Sequence, residues 1–254
     1  MEDKNPIQVA GRLFGTLEYL AENGPSGLKD IAAAQDLNKS TAHRILTSLQ
    51  YMGYVEQNPA DEKYQATWKI VNLSGQIRQR YDIIEEARPY LVKLMEATGE
   101  TVHFVMRSGT EAVYIDKVES HQNAVQMVST IGSRIPLYCS GVGKAMLAVL
   151  PAEEAKHLWE ESHIERRTSS TITRYDQFER ELNRIRKRGY AIDDEENEPG
   201  VRCCAAALCR EDGRADYAFS ISAPINRMSD ERIEEVSRLI LSTKTEMQKA
   251  LHWD

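Results

Sequence analysis

Seven hydrogen-bonding side chains are concentrated between residues 39 and 48. They would share one side of a helix, and they are Lys39, Ser40, Thr41, His43, Arg44, Thr47 and Ser48. No acidic residue occurs from Leu37 to Val55, although the chain has 39 acidic and 32 basic residues. DNA carries about one negative charge per ~1.7 Å of duplex axis, so a carboxylate here would be repelled. Hydroxyl and cationic groups suit phosphate contacts and base-edge reading in the major groove.

Two short helices joined by a tight corner are predicted to position these side chains. Apolar residues recur at helical spacing from Leu28 to Ala32 and again from Ala42 to Met52. Asn38 is a good N-cap for the second helix. This pattern predicts a helix-turn-helix with residues 39–50 as the recognition helix. The alternative is a plain helical hairpin, since any such hairpin has one polar face.

A small hairpin after the second helix favours the DNA-binding interpretation. Residues 53–55 end the helix and begin a strand, residues 58–61 form a turn, and residues 63–65 are extended again. A hairpin in this position is typical of a winged helix, and Gln57, Asn58 and Lys63 are the candidates for the wing. With a preceding helix from Asn5 to Glu22, the predicted winged domain comprises residues 1–66.

A second set of candidate residues lies in the other half of the chain. Ser140-Gly141-Val142-Gly143 opens a predicted helix, and successive N–H groups at a helix N-terminus form an anion site that glycine lets a ligand approach. Ser220 and Ser222 alternate along a predicted strand and therefore point to the same face.

Three other kinds of site were weighed against these residues. Residues 141–144 do not form a nucleotide P-loop, because Tyr138 stands where the first glycine belongs and Ala145 replaces the Ser or Thr. Tyr138 also excludes a nucleophile elbow. The cysteines lack the paired spacing of a structural zinc site, and a pocket metal shared by Cys203, Asp193 and a histidine is the weaker alternative. No metal and no cofactor are expected.

The 254 residues, 41% of them apolar, are enough for two modest domains. Residues 67–97 are predicted to form linker helices that pair with a partner chain, with Pro89 kinking the second helix or marking its first turn. Residues 98–254 are predicted to form an α+β domain with a mainly antiparallel sheet. Its predicted strands are residues 101–106, 112–118, 124–129, 190–192, 203–209 and 215–221.

Composition limits the class of protein. A net charge of −7 argues against a protein that coats nucleic acid through bulk charge, so local patterning must supply DNA binding. No apolar run is long enough to cross a bilayer and no signal peptide is apparent, so no membrane partner is expected. The four cysteines include two adjacent ones, a poor disulfide framework, which indicates a reducing cytoplasm.

The chain resembles the IclR-type bacterial transcriptional regulators over essentially its full length. The residues that carry the resemblance occur in the family's order, at 38–44, 53–55, 136–144, 188–190, 193–196, 200–203 and 220–222. The resemblance implies a winged N-terminal domain, a linker helix that dimerises, and a GAF-like C-terminal domain that binds a small effector. It also implies a homodimer or a dimer of dimers that represses or activates operons of carbon catabolism.

The resemblance further implies which residues contact the effector. Gly141 and Val142 match the loop whose backbone holds a ligand carboxylate, and Met127 and Ile135 match an apolar wall. The remaining pocket residues by this resemblance are Asp193, Cys203, Ser220 and Ser222. The expected effector is a small organic acid, and the overall character is closest to the subgroup that senses keto-deoxy sugar acids.

These observations predict a transcription regulator, most simply a repressor, that binds an operator in double-stranded DNA under the control of a small acid. One alternative is an enzyme that metabolises a small acid, but the sequence offers no nucleophile with a base in reach. Another is a ligand-binding module without DNA binding, against which the acid-free recognition helix argues.

Overall fold

The computed structural model describes residues 7–79, 81–120, 129–210 and 213–253. The chain divides into two compact units, Met1–Tyr81 and Asp82–Asp254. The boundary falls inside the predicted linker of residues 67–97. No helix in the described ranges is long and apolar enough to span a membrane.

The first unit contains three helices, a hairpin and a fourth helix. These elements are α1 (Gln8–Asn23), α2 (Leu28–Ala34), α3 (Lys39–Tyr51), β1 (Val55–Gln57), β2 (Tyr64–Ala66) and α4 (Lys69–Arg78). The two strands are antiparallel, with Glu56 opposite Gln65. Gly53 has a φ of 75° in the turn before β1, a conformation that glycine adopts without the steric cost of a side chain.

The core of the first unit is small and apolar. Leu46 and Leu49 of α3 pack against Leu20 of α1 and Ile31 of α2, and the hairpin adds Val55 and Tyr64. The i, i+3 spacing of the α3 residues is what places them on one buried side of the helix. The opposite side of α3 is thereby left to solvent.

The second unit is an α+β sandwich around one antiparallel sheet. Its strands are β3 (Thr101–Ser108), β4 (Glu111–Val118), β5 (Arg134–Pro136), β6 (Ala191–Asp194), β7 (Val201–Leu208) and β8 (Tyr217–Pro224). Their order in the sheet is β5-β4-β3-β8-β7-β6. Five of the predicted strands correspond to β3, β4, β6, β7 and β8. The predicted strand at residues 124–129 lies mostly outside the described residues, and β5 is not among the predicted strands.

Helices cover both faces of the sheet. They are α5 (Asp82–Thr98), α6 (Gly141–Val149), α7 (Ala152–Glu161), α8 (Tyr175–Arg188) and α9 (Asp230–Ala250). Alternate residues of β7 enter two different cores: Ala205 and Ala207 pack with α6, α7 and α8, and Cys204 and Ala206 pack with α5 and α9. The α5 helix runs unbroken through Pro89, so Pro89 does not mark its first turn.

Candidate functional site

The solvent side of α3 carries the predicted polar residues. Ala42, Ile45, Leu46 and Leu49 are buried against the core. Thr41 is half-buried, and the rest of the predicted set is exposed, namely Lys39, Ser40, His43, Arg44, Thr47 and Ser48. The face therefore offers hydrogen-bond donors and positive charge with no carboxylate on the helix itself.

Asn38 fixes where α3 begins. Its Oδ1 accepts a hydrogen bond from the N–H of Thr41 at 2.8 Å and a second from the Ser40 hydroxyl at 2.8 Å. The first bond satisfies one of the otherwise unpaired donors of a helix N-terminus. Thr47 donates to the main-chain oxygen of His43 at 2.9 Å, so its hydroxyl is held against its own helix.

The wing candidate Lys63 lies in the β1–β2 hairpin with its side chain exposed. Its N–H donates to Oδ1 of Asp61 at 3.1 Å, and Asn58 Oδ1 accepts from the N–H of Ala60 at 3.0 Å. These side chain–backbone bonds define the turn at the tip. The hairpin thus has the form of a short wing with a lysine at its outer end.

A small cavity of about 50 Å³ lies on the α6 side of the sheet in the second unit. Register explains why its residues converge, because directly paired residues of antiparallel strands point to the same face. Asp193 pairs with Cys203, and Cys203 pairs with Ser222. A neighbouring row runs from Ser220 to His103 and on to Lys117.

Four of the eight predicted pocket residues line this cavity: Ile135, Asp193, Cys203 and Ser222. Ser220 is buried beside them, with its Oγ 3.5 Å from that of Ser222. Gly141 and Val142 are not in the cavity wall, and Met127 lies outside the described residues. The other lining residues are His103, Tyr114, Ser129, Asn197, Glu198 and Val201.

The start of α6 lies directly over the sheet next to the cavity. Ser140 caps the helix by accepting a hydrogen bond from the N–H of Gly143 at 3.2 Å. A Cβ built on Gly141 would lie 3.6 Å from the Cβ of Asp193, so this glycine borders the pocket carboxylate. A Cβ on Gly143 would lie only 2.2 Å from the main-chain oxygen of Leu137, so only glycine fits there.

Asp193 is a buried carboxyl held by the backbone. Its Oδ1 accepts from the N–H of Glu196 at 2.8 Å and from that of Asn197 at 3.4 Å. Burial nevertheless raises its pKa to about 6, against the lowering effects of Lys144 and of the two N–H groups. The group is therefore a hydrogen-bond acceptor near neutral pH that a proton can reach under mildly acidic conditions.

Lys144 is the buried cation that accompanies this loop. Its Nζ donates to the main-chain oxygen of Ile192 at 2.6 Å and forms an ion pair with Glu196. Burial raises the pKa of Glu196 to about 7 despite the attraction of Lys144. The lysine of the Gly143-Lys144 sequence thus fastens β6 and the following loop rather than facing a nucleotide phosphate.

His103 and Tyr114 are pocket residues that the sequence did not single out. The two ring nitrogens of His103 lie 3.2 Å from Oγ of Ser222 and 2.6 Å from Oγ of Ser129. Burial lowers the His103 pKa to about 3, and Lys117 adds to the shift, so the ring is neutral at physiological pH. Burial also raises the pKa of Tyr114, which keeps its hydroxyl protonated. The sequence did contain a sign of a special role, since His103 is a titratable residue among the apolar residues 102–106 of β3.

The described residues contain no group of three or more His, Cys, Asp or Glu side chains that could hold a metal ion. Burial raises the pKa of the Cys203 thiol, and Asp193 adds to this effect. A thiol with a raised pKa is a poor metal ligand and a poor nucleophile. Cys203 is therefore a small, weakly polar part of the pocket wall.

Comparison with known proteins assigns both units. The model of the IclR helix-turn-helix domain matches residues 9–59, and the model of the bacterial transcriptional regulator IclR C-terminal domain matches residues 75–248. The HTH-type transcriptional regulator KdgR of Escherichia coli is 35% identical over 235 residues, 92% of this chain and 89% of that protein. The transcriptional repressor IclR of E. coli is 33% identical over 247 residues, 96% of this chain and 90% of that protein.

A solved structure agrees with these matches. The crystal structure of the Thermotoga maritima IclR has a TM-score of 0.85 and 33% identity, covering 95% of this chain and 98% of that chain. The matched families and relatives are transcriptional regulators rather than enzymes, with a DNA-binding N-terminal domain and an effector-binding C-terminal domain. This chain belongs to the IclR family of bacterial DNA-binding transcriptional regulators.

Proposed function

We propose that this regulator is a repressor of a carbon-catabolism operon, released from or fixed on its operator by a small organic or sugar acid. It acts in the cytoplasm, where operator DNA is accessible. The observation that carries the proposal is the small cavity that Asp193, Cys203 and Ser222 line in the matched C-terminal domain. The name of the similar E. coli IclR, a transcriptional repressor, supports the sign of regulation.

The recognition helix supplies the proposed operator contacts. The seven polar residues on or beside its solvent face are Lys39, Ser40, Thr41, His43, Arg44, Thr47 and Ser48, and Lys63 adds a wing contact. Helix-turn-helix proteins place such a helix in the major groove, where hydroxyl and cationic groups meet phosphates and base edges.

The effector would lie between the start of α6 and the sheet. Its carboxylate would accept from the N–H groups at Gly141 and Val142, and its hydroxyl groups would bond to Asp193, Ser220 and Ser222. Ile135 and Met127 would form the apolar wall. Keto-deoxy sugar acids are the first class to test, because the sequence is closest in character to the subgroup that senses them. KdgR of E. coli is similar along 92% of this chain.

Cavity size connects binding to regulation. A volume of about 50 Å³ is only about a third of the ~150 Å³ cavity that accommodates benzene, a ligand of six heavy atoms. An acid of six or more heavy atoms therefore requires the wall to move. A ligand that favours the widened state shifts the population between two conformations, which is the requirement for control of DNA binding.

We also propose that the protein works as a homodimer, which further association could double to a tetramer. The first unit has an apolar groove of about 540 Å³ between α1, the end of α3 and α4. Phe14 is 65% exposed in this groove and Leu73 is 48% exposed. None of the residues of α4 is buried in the single chain. A second copy is the fitting occupant, because operators with two half-sites are read by two-fold symmetric dimers.

The dimer proposal has a direct test. Phe14→Glu should weaken self-association in light scattering across a dilution series, because it places a charge in the groove. Tyr51→Glu is the matched control, since Tyr51 is 94% exposed and does not line the groove. Equal self-association of Phe14→Glu and wild-type protein would contradict a dimer built on this groove.

The effector proposal is tested by thermal unfolding with a panel of keto, hydroxy and keto-deoxy sugar acids. A ligand that binds only the folded state raises the melting temperature by mass action. The wild-type protein should respond to at least one acid, and Asp193→Ala should not respond to it. Stabilisation of Asp193→Ala equal to that of wild-type protein would show that the acid binds elsewhere.

A further inference from the structure

A cleft between α1 and α3 brings together four hydrogen-bond donors from two helices. It has a volume of about 320 Å³, and we refer to it as the α1–α3 cleft. Its polar lining residues are Arg12 from α1 and Thr41, Arg44 and Ser48 from α3, and its apolar lining residues are Val9, Leu13 and Ile45. None of its lining residues in the part of the chain that the structure describes is acidic.

The hydrogen-bond donors of this cleft are available to bind a ligand. Among the described residues, no hydrogen bond or ion pair engages the side chains of Arg12, Thr41, Arg44 or Ser48. The other serine and threonine hydroxyls of α3 are already used, because Ser40 donates to Asn38 and Thr47 to the main-chain oxygen of His43. By contrast with Arg12 and Arg44, many arginines of the second unit have an acidic partner, such as Arg88 with Asp116 and Arg227 with Glu100.

The arrangement divides the polar face of α3 into two parts. Thr41, Arg44 and Ser48 recur at intervals of three and four residues on the side towards α1. Ser40, His43 and Thr47 recur in the same way on the side away from it. A helix in the major groove meets base edges in front and a sugar–phosphate strand along each flank. The part next to α1 is placed to meet one strand.

We propose that the α1–α3 cleft holds a DNA backbone phosphate, with Arg12 and Arg44 as its charged ligands. The two guanidinium groups supply planar forks of N–H donors that match phosphate oxygens, and the hydroxyl groups of Thr41 and Ser48 complete the site. Arg12 thereby becomes a DNA-contacting residue outside the two helices, α2 and α3, of the helix-turn-helix motif. Arg44 positions the recognition helix instead of reading a base.

This assignment predicts a loss of affinity that does not depend on sequence. A phosphate contact contributes to binding of every duplex and releases counterions, so its removal lowers the salt dependence of binding by about 0.9 in log–log slope for each head bound. A base contact has the opposite signature, with loss on the operator and little change on random DNA.

The experiment uses the full chain and a short random-sequence duplex, with fluorescence anisotropy from about 50 to about 200 mM salt. Arg12→Ala and Arg44→Ala should each weaken binding at low salt and reduce the slope. Arg12→Lys should keep most of the slope, since it keeps the charge. Arg238→Ala is the matched control, because it removes the same charge from an exposed position on α9 in the other unit.

The double variant Arg12→Ala/Arg44→Ala should lose less than the sum of the two single changes, because both residues contact one phosphate. An unchanged melting temperature will verify that the variants are folded. The assignment would be overturned if Arg12→Ala bound the random duplex with the same affinity and the same salt dependence as Arg238→Ala. Normal random-duplex binding by Arg44→Ala, or no duplex binding by wild-type protein at low salt, would overturn it as well.

Discussion

Lys144 and Glu196 form an ion pair whose side chains are only 1% and 8% exposed. The pair connects α6 to the loop after β6, and the N–H of Glu196 in turn donates to the pocket carboxyl of Asp193 at 2.8 Å. The shape of the proposed effector pocket therefore depends on a charge pair that does not line the cavity.

Breaking this pair should be costly. Removal of one partner from a buried pair leaves an uncompensated charge and typically costs ~3–5 kcal/mol. We expect Lys144→Met to lower the midpoint of urea unfolding strongly, since it also removes the 2.6 Å bond to Ile192. Glu196→Gln should lower the midpoint as well, because it leaves the buried ammonium of Lys144 without a charged partner. Lys93→Met, from a pair whose side chains are 70% and 47% exposed, is the control and should have little effect. Similar midpoints for the two lysine variants would refute this role of Lys144.

Asp193 should make the stability of the protein depend on pH in a defined direction. Its pKa in the folded protein is raised from 3.8 to about 6, so the folded state binds a proton more tightly than the unfolded state. The stability that this protonation contributes is fully present below pH 3.8 and is lost as the pH rises through 6. Asp193→Asn should therefore be more stable than wild-type protein above pH 6, by up to roughly 3 kcal/mol at 1.36 kcal/mol per pKa unit, and not at pH 4.

Urea unfolding of the two proteins at a series of pH values measures this difference. Asparagine retains an oxygen for the N–H groups of Glu196 and Asn197, so the comparison isolates the charge. A stability difference between the two proteins that does not change with pH would contradict a raised pKa at Asp193.

Local sequence patterns were sufficient to predict an element when its own residues determine where it begins and ends. The recognition helix was predicted at residues 39–50 and observed at Lys39–Tyr51, because Asn38 caps it and its apolar residues recur every three or four positions. The bounds of α8 are likewise set by its own residues, since it is strongly amphipathic and Gly189 follows with a φ of 84°. The family resemblance supplied the pocket residues, of which Asp193, Cys203 and Ser222 converge.

Features that arise from long-range pairing were not predictable in this way. The three-residue strand β5 has no alternation of its own and exists because Ala112 of β4 pairs with Ile135. His103 lies in an apolar stretch that reads as core, and only its register opposite Ser220 brings it to the pocket. The α1–α3 cleft joins Arg12 to Arg44 across 32 positions of sequence, a proximity that neither helix encodes alone.

His103 should remain neutral throughout the physiological range. Burial lowers its pKa to about 3, and an imidazolium there would face the ammonium group of Lys117. The ring signals in two-dimensional ¹H–¹⁵N NMR should therefore not titrate between pH 5 and 8, with His103→Gln identifying them by their absence. Because the unfolded chain takes up a proton that the folded protein does not, this residue lowers stability as the pH falls below 6.5. A titration of the His103 signals within the pH 5–8 range would exclude the buried neutral arrangement with Ser222 and Ser129.

Substitutions of Asn38 should separate the stability of α3 from its proposed contact with DNA. Asn38→Ala removes the 2.8 Å cap to the N–H of Thr41 and should cost the first unit ~1 kcal/mol. Asn38→Asp keeps the cap, and a carboxylate at a helix N-terminus is favourable, so the helix should stay as stable as in wild-type protein.

The same carboxylate brings negative charge to the end of α3 that is proposed to face DNA. Thermal unfolding and duplex binding should thus rank the two variants in opposite orders at low salt, and added salt should shrink the binding defect of Asn38→Asp by screening. Binding of a short duplex by Asn38→Asp as tightly as by wild-type protein at low salt would mean that the start of α3 does not approach the phosphates.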